Sequence, residues 1–171
     1  MVLLRRTQKL ARALPTSASP LAQSDTALGD WYVNRLTVDR RPLLLMMSAR
    51  GLLPVLLPAR DVSRLPERLA AVVAARLGRL GVAPATASAE VGSMAPVVVA
   101  PTVDRSVVGI MVDFAKAIPF YLERGAWDES TLPFVEARLA ETPCHAGRRF
   151  EDVVVPYRNA PELLLARWGA G

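Results

Sequence analysis

The stretch from Pro42 to Pro58, PLLLMMSARGLLPVLLP, is the most apolar part of the chain, and the rest of the fold is organised around it. Two apolar runs flank Ser48–Gly51, where the glycine is free to adopt the positive φ of a tight turn. The short length of the stretch, and Arg50 with Gly51 at its centre, argue against a membrane span. The stretch therefore predicts two buried strands joined by a turn.

The residues that precede and end this stretch extend the two strands into a meander. Trp31–Val38 is rich in aromatic and β-branched residues and predicts a preceding strand. The alternation of apolar and polar residues fails near Arg35 and Leu36, which predicts a bulge there. Pro54 cannot donate a ladder hydrogen bond, so its strand is expected at a sheet edge or with a bulge. Because both inner runs are apolar on both faces, the sheet should be covered on both sides.

Helical spacing of apolar residues predicts three main helices after the meander. The first covers Asp61–Leu80, and its apolar stripe includes one charged residue, Arg76. The second covers Asp104–Arg124, where Pro119 should produce a kink, and the third covers Ser130–Ala140. Shorter helices are predicted at 7–14, 84–94 and 161–168, and further strands at 2–4, 97–99 and 153–155.

These elements predict an α+β fold, in which an antiparallel sheet of about four to five strands is packed with three or more helices. Its centre is the meander at 31–58. Three strands in succession without intervening helices disfavour a doubly wound α/β fold. A length of 171 residues with 51% apolar residues suits a single domain over 1–171.

The charge composition is basic, with a net charge of +5, and all but two of the 21 basic residues are arginines. The planar guanidinium of arginine suits phosphate and carboxylate ligands, although a GC-rich genome would produce the same bias. Cys144 is the only cysteine, so no intramolecular disulfide forms, which fits a reducing cytoplasm. One Cys and one His do not supply the usual zinc ligands, and we expect no metal and no other cofactor.

Motifs that would identify an enzyme are missing from the sequence. It contains no Gly-rich phosphate loop, no HExxH, no CxxC and no GxSxG. Cys144 and His145 are adjacent, whereas catalytic Cys–His pairs normally come from distant positions that the fold brings together. We therefore predict no catalytic residue.

The most informative polar set lies on the helix that begins near Asp104. Arg105, Ser106, Gly109 and Asp113 project from the side opposite the apolar face. Free N–H groups at a helix N-terminus favour an anion, and Gly109 leaves a gap that a ligand would fill. These four residues are the predicted ligand-binding set, and a solvated helix face with a cap is the alternative.

Arginines also accumulate around the predicted sheet, in doublets at 5–6, 40–41 and 148–149. Arg35, Arg40, Arg41 and Arg50 are predicted to form a basic surface at the sheet edges. Nucleic acid would bind such a patch, although no helix-turn-helix, RNP or OB signature accompanies it. Solvated surface arginines are the alternative.

Two classes of function stay open. The first is an intracellular, non-enzymatic binding module whose arginine-rich surface contacts an anionic ligand, nucleic acid or a protein partner. The second is an enzyme with a polar site at the N-terminal part of the helix at 104–124. No membrane partner is expected, and a homo-oligomer built on a sheet edge is a further option.

Three blocks of residues carry a resemblance to a known family. They are LGDWY with Asn34 and RRPL at 28–43, LLPV at 52–55, and MAPV at 94–97 followed by Thr102, Arg105-Ser106-Val107, Gly109 and Asp113-Phe114. Over about residues 1–145 the chain resembles an uncharacterised family of bacterial proteins with a domain of unknown function. The resemblance implies a compact α+β domain of bacterial origin and no activity, with 146–171 as a C-terminal extension.

The chain departs from the pattern of this family at two positions. The family pattern has an Asn before the Asp113-Phe114 pair and a Ser after Gly109, whereas this chain has Val112 and Ile110. If those polar residues line a site in the relatives, the resemblance implies a modified or lost site in this chain.

Overall fold

The structure is a computed structural model that describes residues 1–19, 21–145 and 152–169. Its main sheet has five strands: β1 Val2–Arg6, β2 Trp31–Val38, β3 Arg41–Ser48, β4 Pro54–Pro58 and β5 Val97–Pro101. Its helices are α1 Leu65–Arg79, α2 Pro84–Gly92, α3 Arg105–Ala117, α4 Leu132–Ala140 and α5 Pro156–Trp168. A short antiparallel pair, β6 Cys144–His145 and β7 Val153–Val154, follows α4. The predicted α+β fold is confirmed.

The strand order is β4-β3-β2-β1-β5. The meander β2-β3-β4 is antiparallel as predicted, and β4, which contains Pro54, lies at an edge. The sheet as a whole is mixed, because β1 pairs in parallel with both β2 and β5. The first strand of the chain is thus inserted between two strands that follow it in sequence.

The bulge predicted near Arg35 and Leu36 is wrong. The pairing of β2 with β3 runs without interruption from Trp31–Ser48 to Val38–Arg41. The irregular alternation of apolar and polar residues in β2 has another cause, because β1 pairs with β2 only as far as Val33. Beyond that point β2 has lost one neighbouring strand, so residues 34–37 are partly or fully exposed.

Prolines account for most differences between the predicted and the observed helices. Pro119 ends α3 instead of kinking it, and a 3-10 helix, Ile118–Tyr121, follows, because proline cannot donate the next α-helical hydrogen bond. Pro156 begins α5 earlier than predicted. The predicted helix at 7–14 is only a 3-10 helix, Gln8–Leu10.

Each face of the sheet carries its own apolar core, as predicted from the two-sided apolar strands. Alternate residues of one strand serve opposite cores, since Trp31 packs towards α1, α2 and α5, and Tyr32 packs towards α3 and α4. Apolar burial of this kind contributes about 25 cal/mol per Å² of area removed from water. Within the described residues, no helix combines the length and the apolar character that a membrane crossing requires.

Candidate functional site

The β2–β3 hairpin turn is the centre of the candidate site. Asp39 and Arg40 form the turn with φ values of 50° and 63°, the positive sign found at both central positions of type I′ turns. Arg41 already belongs to β3, so the hairpin loop consists of Asp39 and Arg40. The turn presents the side chains of Asp39 and Arg40 at the end of the sheet.

Asp39 attaches this turn to the segment that precedes α4. Its Oδ2 accepts hydrogen bonds from the Gly125 N–H at 3.1 Å and from the Trp127 Nε1–H at 2.9 Å. The Gly125 N–H, and then the Trp127 indole and the charges of Arg124 and Arg41, lower the pKa of Asp39. The carboxylate therefore stays ionised and keeps the two segments together.

Two cavities flank this attachment. One, of about 260 Å³, contains Arg41, Arg60 and the buried indole of Trp127 in its lining. The guanidinium carbon of Arg41 lies 4.9 Å from the centroid of that indole, within cation–π range, and its Nη1 donates to the Trp127 carbonyl. The other cavity, of about 220 Å³, is lined by Asp39, Arg40, Arg124 and Gly125. We call Arg40, Arg41, Arg60 and Arg124 the hairpin-end arginines.

The four residues of the predicted basic surface do not come together. Arg35, Arg40 and Arg41 lie on the β2–β3 hairpin. Arg50 follows the opposite end of β3, about 24 Å away by the rise of an eight-residue strand. The doublet at 148–149 lies outside the described residues.

The predicted ligand-binding set lies on one helix face, as expected from its spacing. Arg105, Ser106, Gly109 and Asp113 are all exposed on α3. Asp104 caps this helix, and its Oδ1 accepts from the N–H groups of Ser106 at 2.8 Å and Val107 at 3.3 Å. Two backbone donors that an anion would use are thus occupied, and a Cβ at Gly109 would meet open space. A ligand role for this set stays a prediction.

A buried charge cluster lies between α1, α4 and β4. Glu136 is 1% exposed, and its carboxylate accepts from Arg79 at 2.9 Å and from the Leu56 N–H at 2.9 Å. Arg76 is 3% exposed; its Nε lies 3.6 Å from Glu136 Oε2 and donates to the Pro54 carbonyl at 2.9 Å. We call Arg76, Arg79 and Glu136 the charge cluster.

The charge cluster also protects the sheet edge. The Leu56 N–H points away from β3 towards Glu136, and residues 54 and 58, which have the same orientation on β4, are prolines without an N–H. The outward side of β4 therefore offers no unpaired backbone donor at these three positions. Capping of an edge strand in this way prevents pairing with another strand.

Cys144 does not have the environment of a nucleophile. It is buried, and burial together with the negative charge of Asp113 raises the pKa of its thiol to about 11. Near neutral pH the sulfur therefore carries its proton, and a protonated thiol is a poor nucleophile. Within the described residues, no group of three or more His, Cys, Asp or Glu side chains is placed to hold a metal ion.

We expect Cys144 to react slowly with iodoacetamide in the folded protein. Because its pKa is raised from 9.0 to about 11, its thiolate fraction near neutral pH should be about 100-fold lower than in the unfolded chain. Mass spectrometry of the alkylated protein over a pH series measures this. The folded-state rate should keep rising towards pH 11, whereas the rate in guanidinium should level off near pH 9. Equal rates in the two states would contradict the assignment.

Sequence reasoning did not identify several residues of these clusters. Arg41 and Trp127 are 86 positions apart, and no local pattern links them. Arg76 did give a signal, since a charged residue within an apolar helical stripe is buried when the helix packs and must find a partner. That partner, Glu136, lies on a helix 57 positions after Arg79 and was not predicted.

Comparison with known proteins places these features within one family domain. The profile of the family described as "Domain of unknown function (DUF6933)" matches residues 3–159. Comparisons with curated proteins and with solved structures found no match. The matched range includes both the hairpin-end arginines and the charge cluster, and it continues past residue 145, where the resemblance noted in the sequence stops.

Proposed function

This chain belongs to the DUF6933 family, a domain of unknown function, and we propose that it is a non-enzymatic binding module that holds an anionic ligand through its hairpin-end arginines. The observation that carries the proposal is the placement of Arg40 and Arg124. Both are exposed, both line the 220 Å³ cavity, and neither side chain makes a hydrogen bond to another residue in the part of the chain described. Two such guanidinium groups beside one cavity suit the oxygens of a phosphate, sulfate or carboxylate.

Asp39 lines the same cavity, and its ionised carboxylate attracts Arg124 and offsets one of the two positive charges. Asp39 is held by the Gly125 and Trp127 N–H groups, and Glu129 is paired with Arg60. Asp128 accepts from the Ser130 N–H at the start of the following turn. Against the single charge of Asp39, Arg40 and Arg124 leave a net positive charge in the lining of this cavity.

The aromatic group of the site supports a ligand recognised by its charge. Trp127 is buried, and Arg41 covers its ring, so the indole offers no face on which a nucleic acid base would stack. A cytoplasmic location goes with this proposal, since a protein with one buried, protonated thiol and no disulfide suits a reducing compartment. Nucleic acid and a protein partner would be recognised here only through their anionic groups.

Heparin, a polyanion without bases, provides the test. We expect the protein to be retained on heparin at low salt, with affinity that falls as salt rises, because binding releases counterions. Arg40→Gly with Arg124→Gln should lower the slope of log affinity against log salt by about one for each arginine removed. Fluorescence titration with a heparin oligosaccharide at several salt concentrations measures the slope.

The chain provides matched controls for this experiment. Arg40→Gly removes a side chain at positive φ, which relieves strain of about 1 kcal/mol, so weaker binding would not result from unfolding. Arg50→Gln removes an exposed arginine at the other end of β3 and should leave the affinity unchanged. Failure of the protein to bind heparin at low salt, or an equal loss on changing Arg50, would overturn the proposal.

A further inference from the structure

A separate cavity of about 480 Å³ lies where α1, α4 and α5 meet. Its volume is within the range of small-molecule sites. The charge cluster contributes Arg76 and Arg79 to its lining, and α5 contributes Tyr157 from its first turn. The other lining residues are Leu80, Ala137, Ala140 and Glu141.

Arg76 carries a hydrogen-bond donor that the described part of the protein leaves unused. Its Nη2 is buried and has no partner among the described residues, although its Nε donates to the Pro54 carbonyl. Buried guanidinium N–H groups are almost always paired, because an unpaired donor loses its bond to water without replacement. Burial also lowers the pKa of Arg76, against the opposing effect of Glu136. Arg76 also lines the cavity, so an acceptor on a ligand there would lie beside this under-bonded guanidinium.

The charges around the cavity select the ligand. Arg76 and Arg79 share the single carboxylate of Glu136, which leaves one positive charge uncompensated. Glu141 also lines the cavity, but it is paired with Arg138 at 3.2 Å. The C-terminal ends of α1 and α4 lie at the cavity, and their partial negative charges together exceed the partial positive charge of the N-terminus of α5, which disfavours a dianion. One negative charge balances the site, and two do not.

The rest of the lining is apolar, with a leucine, two alanines and the ring of Tyr157. From the unpaired donor, the single excess charge and these walls, we propose that the cavity binds a small organic monocarboxylate, with the carboxylate on Arg76 and Arg79 and its apolar body against α4 and Tyr157. The fork of a guanidinium matches the two oxygens of a carboxylate. This site is separate from the hairpin-end arginines and does not depend on their function.

Benzoate, an aromatic monocarboxylate, is the probe. Titration of the ¹⁵N-labelled full chain should produce a saturable shift of the Arg76 Nε–H resonance. Benzamide has the same shape without the charge and should bind at least about tenfold more weakly, the loss that corresponds to one charge-assisted hydrogen bond. Phenyl phosphate, which is largely a dianion at neutral pH, should bind no more tightly than benzoate.

Two variants test the position of the ligand. Ala137→Trp fills the cavity from an exposed helix position, so it should abolish benzoate binding and leave the fold intact. Arg79→Gln should weaken binding about tenfold. Arg68→Gln, an exposed arginine on the same helix, should bind benzoate like the unchanged protein, and so should the Arg40→Gly with Arg124→Gln variant.

Three results would overturn the inference. They are the lack of a saturable Arg76 shift with benzoate, equal affinity for benzamide, and unchanged binding by Ala137→Trp. Tighter binding of phenyl phosphate would overturn the assignment of a monocarboxylate. None of these results bears on heparin retention, so the two proposals fail independently.

Discussion

Replacement of Glu136 by Gln is expected to lower the free energy of unfolding by about 3–5 kcal/mol, the usual loss when one partner of a buried ion pair is removed. Gln can still accept from the Leu56 N–H, but it leaves Arg76 buried without a countercharge. Arg79 is 37% exposed at its side chain and can turn towards water, whereas Arg76 cannot. The unpaired charge of Arg76 therefore accounts for most of the loss.

Urea denaturation followed by circular dichroism measures this change. Glu141→Gln on the same helix is the control, because Glu141 is exposed in an i,i+3 pair with Arg138 and should change stability by less than about 0.5 kcal/mol. The double change Arg76→Met with Glu136→Met should be more stable than Glu136→Gln alone, since apolar residues then replace both charges. A loss of less than about 1 kcal/mol for Glu136→Gln would show that the pair is not buried as described.

The second large effect is expected at Glu90, which is 0% exposed and faces three neutral donors. Its Oε2 accepts from the Ala27 N–H at 2.9 Å and the Trp168 Nε1–H at 2.7 Å, and its Oε1 accepts from the Leu28 N–H at 3.0 Å. Glu90→Gln replaces one oxygen by an NH₂ group, so at least one N–H then faces another donor. Each buried donor left unpaired costs about 1–3 kcal/mol, and we expect a total loss of about 3 kcal/mol.

Guanidinium denaturation of three variants separates these contributions. Trp168→Phe removes one donor and leaves Glu90 with two hydrogen bonds, so it should cost less than Glu90→Gln. Glu67→Gln, at an exposed position on α1, is the matched control and should have almost no effect. If Glu90→Gln stays within about 0.5 kcal/mol of the unchanged protein, the three-donor arrangement is wrong.

The sequence allowed prediction of the meander because each part of it follows from local chemistry. The apolar runs on either side of Ser48–Gly51 and the prolines of β4 determine strands, turn and edge without reference to the rest of the chain. The direction of β1 was not predictable from the sequence. Its five residues are all buried, and they contain no local signal that distinguishes a parallel from an antiparallel partner.

The candidate sites were harder to predict, since they depend on pairs that are distant in sequence. Arg40 and Arg41 were recognised as basic surface residues, but their neighbours Arg124 and Trp127 come from a segment without a pattern of its own. Arg50 was grouped with them because it is close to them in sequence. The eight-residue strand β3, however, places it at the opposite end of the hairpin. Residue type predicted the chemistry here, and only the fold determined which side chains meet.

The position of β1 between β2 and β5 has a consequence for the order in which the protein forms during translation. Val2 and Leu3 leave the ribosome about 95 positions before their partners on β5, Val97 and Val98. The meander is complete once residue 58 has emerged, so it can form while one side of β1 is still unpaired. Long separations of this kind slow folding, and the nascent chain keeps an open strand edge until β5 arrives.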